Sequence, residues 1–207
     1  MTKTDLIDSC EEQFEEMIGQ FLDNEFAVAD AFLPQEIALG LRANLLAFHQ
    51  AGLMYPAGTG RNFDFKKNTA VRGDSIRWLE ACTKDIYEDY LLQKVVAFIN
   101  HLNHTCYTGL KDYEFHYAIY TKNSFYKRHK DQFKHDKGRQ FSLVIYLNSE
   151  WDDKDGGILS LYTGSGEARV KPLIGRAVFF KSDRTEHEVH PALKKSRLSI
   201  AGWLKSI

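Results

Sequence analysis

The sequence predicts an α+β fold, a jelly-roll β core buttressed by N-terminal helices, and three observations point there. The first half carries apolar residues at helical spacing. From Tyr113 onward, short runs of Tyr, Phe, Val and Ile alternate with Gly, Asn and Asp in a strand-and-turn texture. About eight such strands fall in fewer than 100 residues, with no linker between the halves and no internal repeat, as a jelly roll or barrel requires. Residues 1–207 therefore read as one domain: 1–112 supply mainly helical support and a substrate loop, and 113–207 supply the barrel.

In chain order, Asp5 to Leu22 places Leu6, Ile7, Phe14, Met17, Ile18, Phe21 and Leu22 three and four apart among acids, an amphipathic helix. A short apolar stretch, Phe26–Ala29, follows. A second helix starts near Pro34, a residue suited to a first turn, and ends before Gly52. Tyr55 to Arg72, rich in Gly and Asn and broken by Pro56, reads as a long loop of the kind that often serves function. A third helix covers Asp85 to Asn103. Strands are expected at 114–120, 125–130, 140–147, 158–162, 169–172, 176–180, 187–190 and 198–204.

Bulk composition excludes several classes. With 43% hydrophobic residues there is ample core material, and a formal net charge of −1 without any basic stripe argues against nucleic acid and anionic membranes. No apolar run approaches the roughly 20 residues of a membrane span. The N-terminal segment carries acids where a signal peptide needs an apolar core. Cys10, Cys82 and Cys106 are odd in number and far apart, as expected of thiols in a reducing compartment. A soluble, cytoplasmic, monomeric protein is the expectation.

Eight histidines invite a search for a metal site. His129 and Asp131 sit two apart in an expected strand, so both side chains leave one face. His187 opens a later strand, which a jelly roll can bring alongside. Two His and one carboxylate form the facial set used for non-haem Fe(II), with open positions for oxygen chemistry. His135-Asp136 competes, but neighbours on a strand face opposite ways. His190 competes with His187, and an odd separation keeps both from facing inward. His49, His101, His104 and His116 read as core or surface residues. Arg197 opens the strand RLSIAGWL, and its planar fork suits the far carboxylate of a dicarboxylate such as 2-oxoglutarate.

On these residues the chain resembles the prolyl hydroxylases of the hypoxia-inducible-factor type, including bacterial relatives, from about Ala29 to the C-terminus. The resemblance is carried by VRGDSIRWLE, YKRHKDQ, GRQFSLVIYLNSEWD, GGILSLY and FFKSDRTEHEVHPALKKSRLSIAGW, in order and near the family's spacing. It implies a double-stranded β-helix, iron ligation by His129, Asp131 and His187, and 2-oxoglutarate held by Arg197 and Tyr146. It also implies Tyr120 near the chelating end, Trp203 beside the iron, and Asp74 paired with Arg139 in a substrate groove that includes Tyr126. Fe(II), 2-oxoglutarate and O2 are the implied cofactors, with ascorbate as reductant. The implied partner is a protein carrying a target proline, a translation factor or ribosomal protein among the candidates. The chain departs at Glu186, where the animal enzymes have proline, in one extra residue between His187 and Arg197, and in the loop Tyr55–Ala70. Rival readings are a 2-oxoglutarate enzyme acting on a free amino acid, a cupin-like metal enzyme without that cosubstrate, and a degenerate barrel that only binds.

Overall fold

A computed structural model describes residues 3–58, 70–132 and 138–206, with side chains from residue 10 onward. Three helices, α1 (Lys3–Asn24), α2 (Gln35–Gln50) and α3 (Ile86–Cys106), lie close to the expected bounds. Pro34 stands just ahead of α2, where its missing N–H costs nothing. Asp85 caps α3 by accepting from the amides of Tyr87 and Glu88 at 3.0 Å each. The helix ends at Tyr107, which turns left-handed at φ 53°.

Eleven strands are present among the described residues, three more than the sequence predicts. They are β1 (Phe26–Ala29), β2 (Tyr55–Pro56), β3 (Ser75–Trp78), β4 (Asp112–Tyr120), β5 (Tyr126–His129), β6 (Arg139–Tyr146), β7 (Leu159–Thr163), β8 (Gly166–Val170), β9 (Ala177–Lys181), β10 (Glu186–Val189) and β11 (Arg197–Lys205). One sheet runs β1-β9-β6-β11-β4-β3-β2 and the other β5-β10-β7-β8. The additional strands, β1 to β3, come from the first half of the chain and extend the larger sheet at both ends.

The larger sheet is covered on both faces, and its sequence encodes this by strict alternation. Phe115, Tyr117 and Ile119 of β4, Phe141, Leu143 and Ile145 of β6, Phe179 of β9, and Leu198, Ile200 and Leu204 of β11 meet the helices in one apolar core. There Phe14 of α1 and Phe98 of α3 form a ring cluster with Phe179, at centroid separations of 4.9 Å and 5.1 Å. The intervening residues, including Ala118, Tyr120, Tyr146, Val178 and Phe180, face the second sheet and form a separate, smaller core. A polar link joins the layers: Tyr117 Oη donates to Glu88 Oε1 at 2.9 Å, and Thr83 donates to the other oxygen at 2.7 Å. The helices thus fix the larger sheet from behind and leave its inner face free to carry chemistry.

Candidate active site

Between the sheets opens a cavity of about 290 Å3, walled by the inner faces of β4, β10 and β11. His129 ends β5 and lies directly across from His187 of β10 in the antiparallel register. Asp131 does not share the strand with His129, as the sequence had suggested. The strand stops at His129, and the following bend carries the carboxylate back towards the two rings. Asp131 Oδ1 lies 3.5 Å from His129 Nε2, and Oδ2 lies 3.6 Å from His187 Nε2. The ligand atoms of these three residues all fall within 4.8 Å of one another.

Backbone carbonyls orient both imidazoles. His129 Nδ1 donates to Lys127 O at 2.7 Å and His187 Nδ1 to Thr185 O at 3.2 Å, which leaves each Nε2 lone pair turned towards Asp131. Burial would raise the Asp131 pKa, but His187, His129 and the Ser142 hydroxyl outweigh it and hold the carboxyl far below the usual range. Burial and the neighbouring His129 push His187 down to about 4. Near neutrality the cluster offers the Asp131 carboxylate and a neutral imidazole at His187, and with His129 it makes the two-His, one-carboxylate set that suits Fe(II) and leaves positions open.

Arg197 opens β11 opposite Tyr120 of β4 and is 1% exposed. Its Nε donates to Gly157 O at 2.9 Å and Nη1 to Ser199 Oγ at 3.1 Å, and no carboxylate of the described residues pairs with it. The guanidinium carbon is 4.9 Å from the Tyr146 ring centre and 5.0 Å from that of Tyr120. Tyr146 is wholly buried, and among the described residues its hydroxyl has no hydrogen-bond partner of good geometry, the Arg197 guanidinium being its polar neighbour. A buried cation without an anion and an orphaned hydroxyl beside it are each costly, and an incoming carboxylate relieves both. Gly157 makes room for this arrangement: at φ +62°, a Cβ there would come within 3.1 Å of Arg197 Cδ.

At the mouth, Arg72 reaches Asp74 with two bonds, at 2.8 Å and 2.6 Å, and stacks over Tyr126 at 4.2 Å. Tyr126 in turn stacks on His129 at 3.5 Å between centroids. The expected Asp74–Arg139 pair is corrected: Arg139 binds Glu114 at 2.8 Å and lies over Trp203 at 3.4 Å. Arg72 stands two residues before Asp74 on the same segment, and Glu114 of β4 reaches Arg139 of β6 across β11, so each arginine has a nearer acid.

His190 bonds Ser160 at 2.7 Å and is turned away from the cluster, as the odd spacing requires. His101 pairs with Glu15 at 2.6 Å on the helical face. His135 and Asp136 lie outside the described residues. His116 is neither surface nor simple core. It is 3% exposed and lines the cavity between Trp78 and Trp203, at centroid distances of 4.9 Å and 5.3 Å. Sequence reasoning missed Arg72, His116, Ser142 and Ser199 as site residues. Ser199 was within reach, because it stands two after Arg197 on one strand and so shares its face.

Comparison with known proteins agrees with this geometry. The profile of the 2OG-Fe(II) oxygenase superfamily matches residues 115–205. Egl nine homolog 1 of rat, mouse and human is 31% identical over 189 residues, covering 85% of this chain. The chain spans about half the length of these curated relatives, 54% of the rat protein and 42% of the human one. Among solved structures, a Pseudomonas putida prolyl-4-hydroxylase superposes with a TM-score of 0.84 at 31% identity, covering 94% of this chain and 99% of that one. A prolyl hydroxylase from Trichoplax adhaerens, solved with a hypoxia-inducible-factor peptide, gives 0.89 at 26% identity, covering 100% and 94%. With its barrel half matched by the family profile and a relative of almost equal length matched throughout, the chain belongs to the 2OG-Fe(II) oxygenase superfamily, among its prolyl hydroxylases.

Proposed function

We propose that the chain is an Fe(II)- and 2-oxoglutarate-dependent dioxygenase that hydroxylates a prolyl residue of a protein substrate, releasing succinate and CO2. The observation that carries this reading is Arg197, a buried guanidinium without an acidic partner among the described residues, lining the same cavity as the His129, Asp131 and His187 cluster. A cupin-like enzyme without a dicarboxylate cosubstrate has no use for such a cation. Likeness to a prolyl-4-hydroxylase over nearly the whole chain supports proline as the target.

In this reading His129, Asp131 and His187 hold iron, and the carbonyl-anchored rings fix its position before it binds. Iron with bound 2-oxoglutarate would supply the oxidising chemistry with O2 as the oxidant, one oxygen atom entering the cosubstrate as it loses CO2 to become succinate and the other converting a proline C–H into C–OH. Arg197 and Tyr146 receive the far carboxylate of 2-oxoglutarate, and Tyr120 sits nearer the chelating end. Trp203 and Tyr126 flank the reacting centre and keep water out. Arg139, Asp74 and Tyr126 border the groove that admits the peptide, their charges neutralised locally by Glu114 and Arg72. The finer assignments belong to the same proposal: a monomer in the cytoplasm, ascorbate as reductant, and a substrate drawn from the translation machinery. Among the described residues no helix is long and apolar enough to cross a membrane.

Anaerobic absorbance tests the assignment. Adding Fe(II) and then 2-oxoglutarate to metal-free protein is expected to give the weak visible band of a 2-keto acid chelated to Fe(II), and His187→Ala is expected to give none. Iron uptake by the wild type without that band would overturn the oxygenase reading.

A further inference from the structure

Asp131 lies beyond the end of β5, so no strand ladder positions its carboxylate. Its bend is instead tied to the start of β6 and the end of β9. Gln132 N donates to Ser182 O at 2.9 Å, Gln132 Nε2 to Arg139 O at 2.8 Å, and Arg139 Nη1 to Asp131 O at 3.2 Å. These bonds fix the backbone. The carboxylate itself is held by Ser142 Oγ, which donates to Oδ2 at 2.7 Å, and Ser142 Oγ lies 2.8 Å from Ser182 Oγ.

The direction of this chain of hydroxyls follows from proton counting. The ionised Asp131 only accepts, so the single Ser142 proton points at it. Ser142 Oγ must then accept from Ser182, because its own proton is spent. Both serines are buried, at 1% and 0% exposure, so water does not compete for either bond. Aligned bonds of this kind polarise one another.

We propose that Ser182 and Ser142 are positioning residues: a directed hydroxyl relay that commits Asp131 Oδ2 and presents Oδ1 as the single ligand oxygen to the metal. Oδ1 faces His129 Nε2 at 3.5 Å and, among the described residues, has no hydroxyl on it. The bond from Ser142 takes one lone pair of Oδ2 and fixes the rotation of the carboxylate, which disfavours chelation through both oxygens and so favours an open coordination position. The inference rests on the reading of His129, Asp131 and His187 as metal ligands.

Cobalt(II) alone, added to the metal-free full chain, provides the test through its visible ligand-field spectrum and its dissociation constant. Ser142→Ala is expected to weaken binding by about tenfold to a hundredfold, the usual effect of removing a ligand's hydrogen-bond partner, and to alter the spectrum. Ser142→Thr retains the hydroxyl and is expected to restore both. Ser182→Ala is expected to weaken binding less, and to add nothing in the Ser142→Ala background, because a relay acts through its last member. Thermal melts of the metal-free variants are expected to stay close to wild type. A Ser142→Ala protein with wild-type affinity and spectrum overturns the relay alone, as does full additivity of the two serine effects. A wild type that takes up no cobalt removes the metal reading and the relay with it.

Discussion

Replacing Arg197 with Met tests the cosubstrate pocket most directly. The variant keeps an apolar stem of similar length and loses two bonds, to Gly157 O and Ser199 Oγ. It also removes a desolvated charge that has no acidic partner among the described residues, so the two effects oppose each other and the ligand-free protein should retain nearly its full stability. Binding behaves differently. Truncating one partner of a buried, hydrogen-bonded ion pair costs about 2–5 kcal/mol, or about thirtyfold to several thousandfold in Kd. Thermal denaturation under anaerobic Fe(II) reports this without turnover. At 2-oxoglutarate one hundred times its wild-type Kd, linkage supplies about 2.7 kcal/mol. For a domain of this size that raises Tm by about 5–11 °C. With the dissociation constant thirtyfold higher, the same concentration supplies about 0.9 kcal/mol, a shift of no more than about 4 °C. Arg197→Met protein that shifts as far as wild type would refute the assignment of Arg197 as the carboxylate receptor.

Gly157→Ala places a Cβ at φ +62° and within 3.1 Å of Arg197 Cδ, so a loss of about 1–2 kcal/mol from the backbone, read by chemical denaturation, should accompany weaker 2-oxoglutarate binding in the same titration. His116 is pushed down to about 4, first by burial and then by the charge of Arg72. The unfolded chain therefore takes up its proton first, near the ordinary value of about 6.5. Stability contributed by the neutral ring is whole above pH 6.5 and is lost as the pH falls towards 4. His187, also pushed down to about 4, contributes in the same direction. His116→Phe should therefore reduce but not abolish the fall in the denaturation midpoint of metal-free protein between pH 7 and pH 5, and an unchanged slope would show that His116 carries none of it.

Much of the fold was legible because its signals are local. The i, i+3 and i, i+4 spacing of Phe14, Met17, Ile18 and Phe21 fixes α1, and the alternation along Leu198, Ile200 and Leu204 fixes β11 with its buried face. The unforeseen strands are short and dependent on a neighbour. β1 forms because β9 offers it an edge, and β2 holds only two residues, Tyr55 and Pro56, against β3. The site was legible where chemistry restricts residue choice, as at His129, His187 and Arg197. It was illegible where pairing is tertiary. Nothing in the spacing reveals that Glu114, 25 residues away, reaches Arg139. Nor does it reveal that β5 ends before Asp131, because that bend is pinned by residues far along the chain.

The two-sided burial of the larger sheet gives β11 a double inheritance. Leu198, Ile200 and Leu204 answer to the helices, while Arg197, Ser199, Ala201 and Trp203 answer to the cavity. A saturation scan along this one strand should therefore yield two interleaved phenotypes with a period of two. One set of positions would lower cellular abundance at unchanged specific activity, and the other would alter turnover or selectivity at unchanged abundance. Selection can then revise the chemistry of the cavity one residue at a time, on a strand whose alternate positions keep the protein folded.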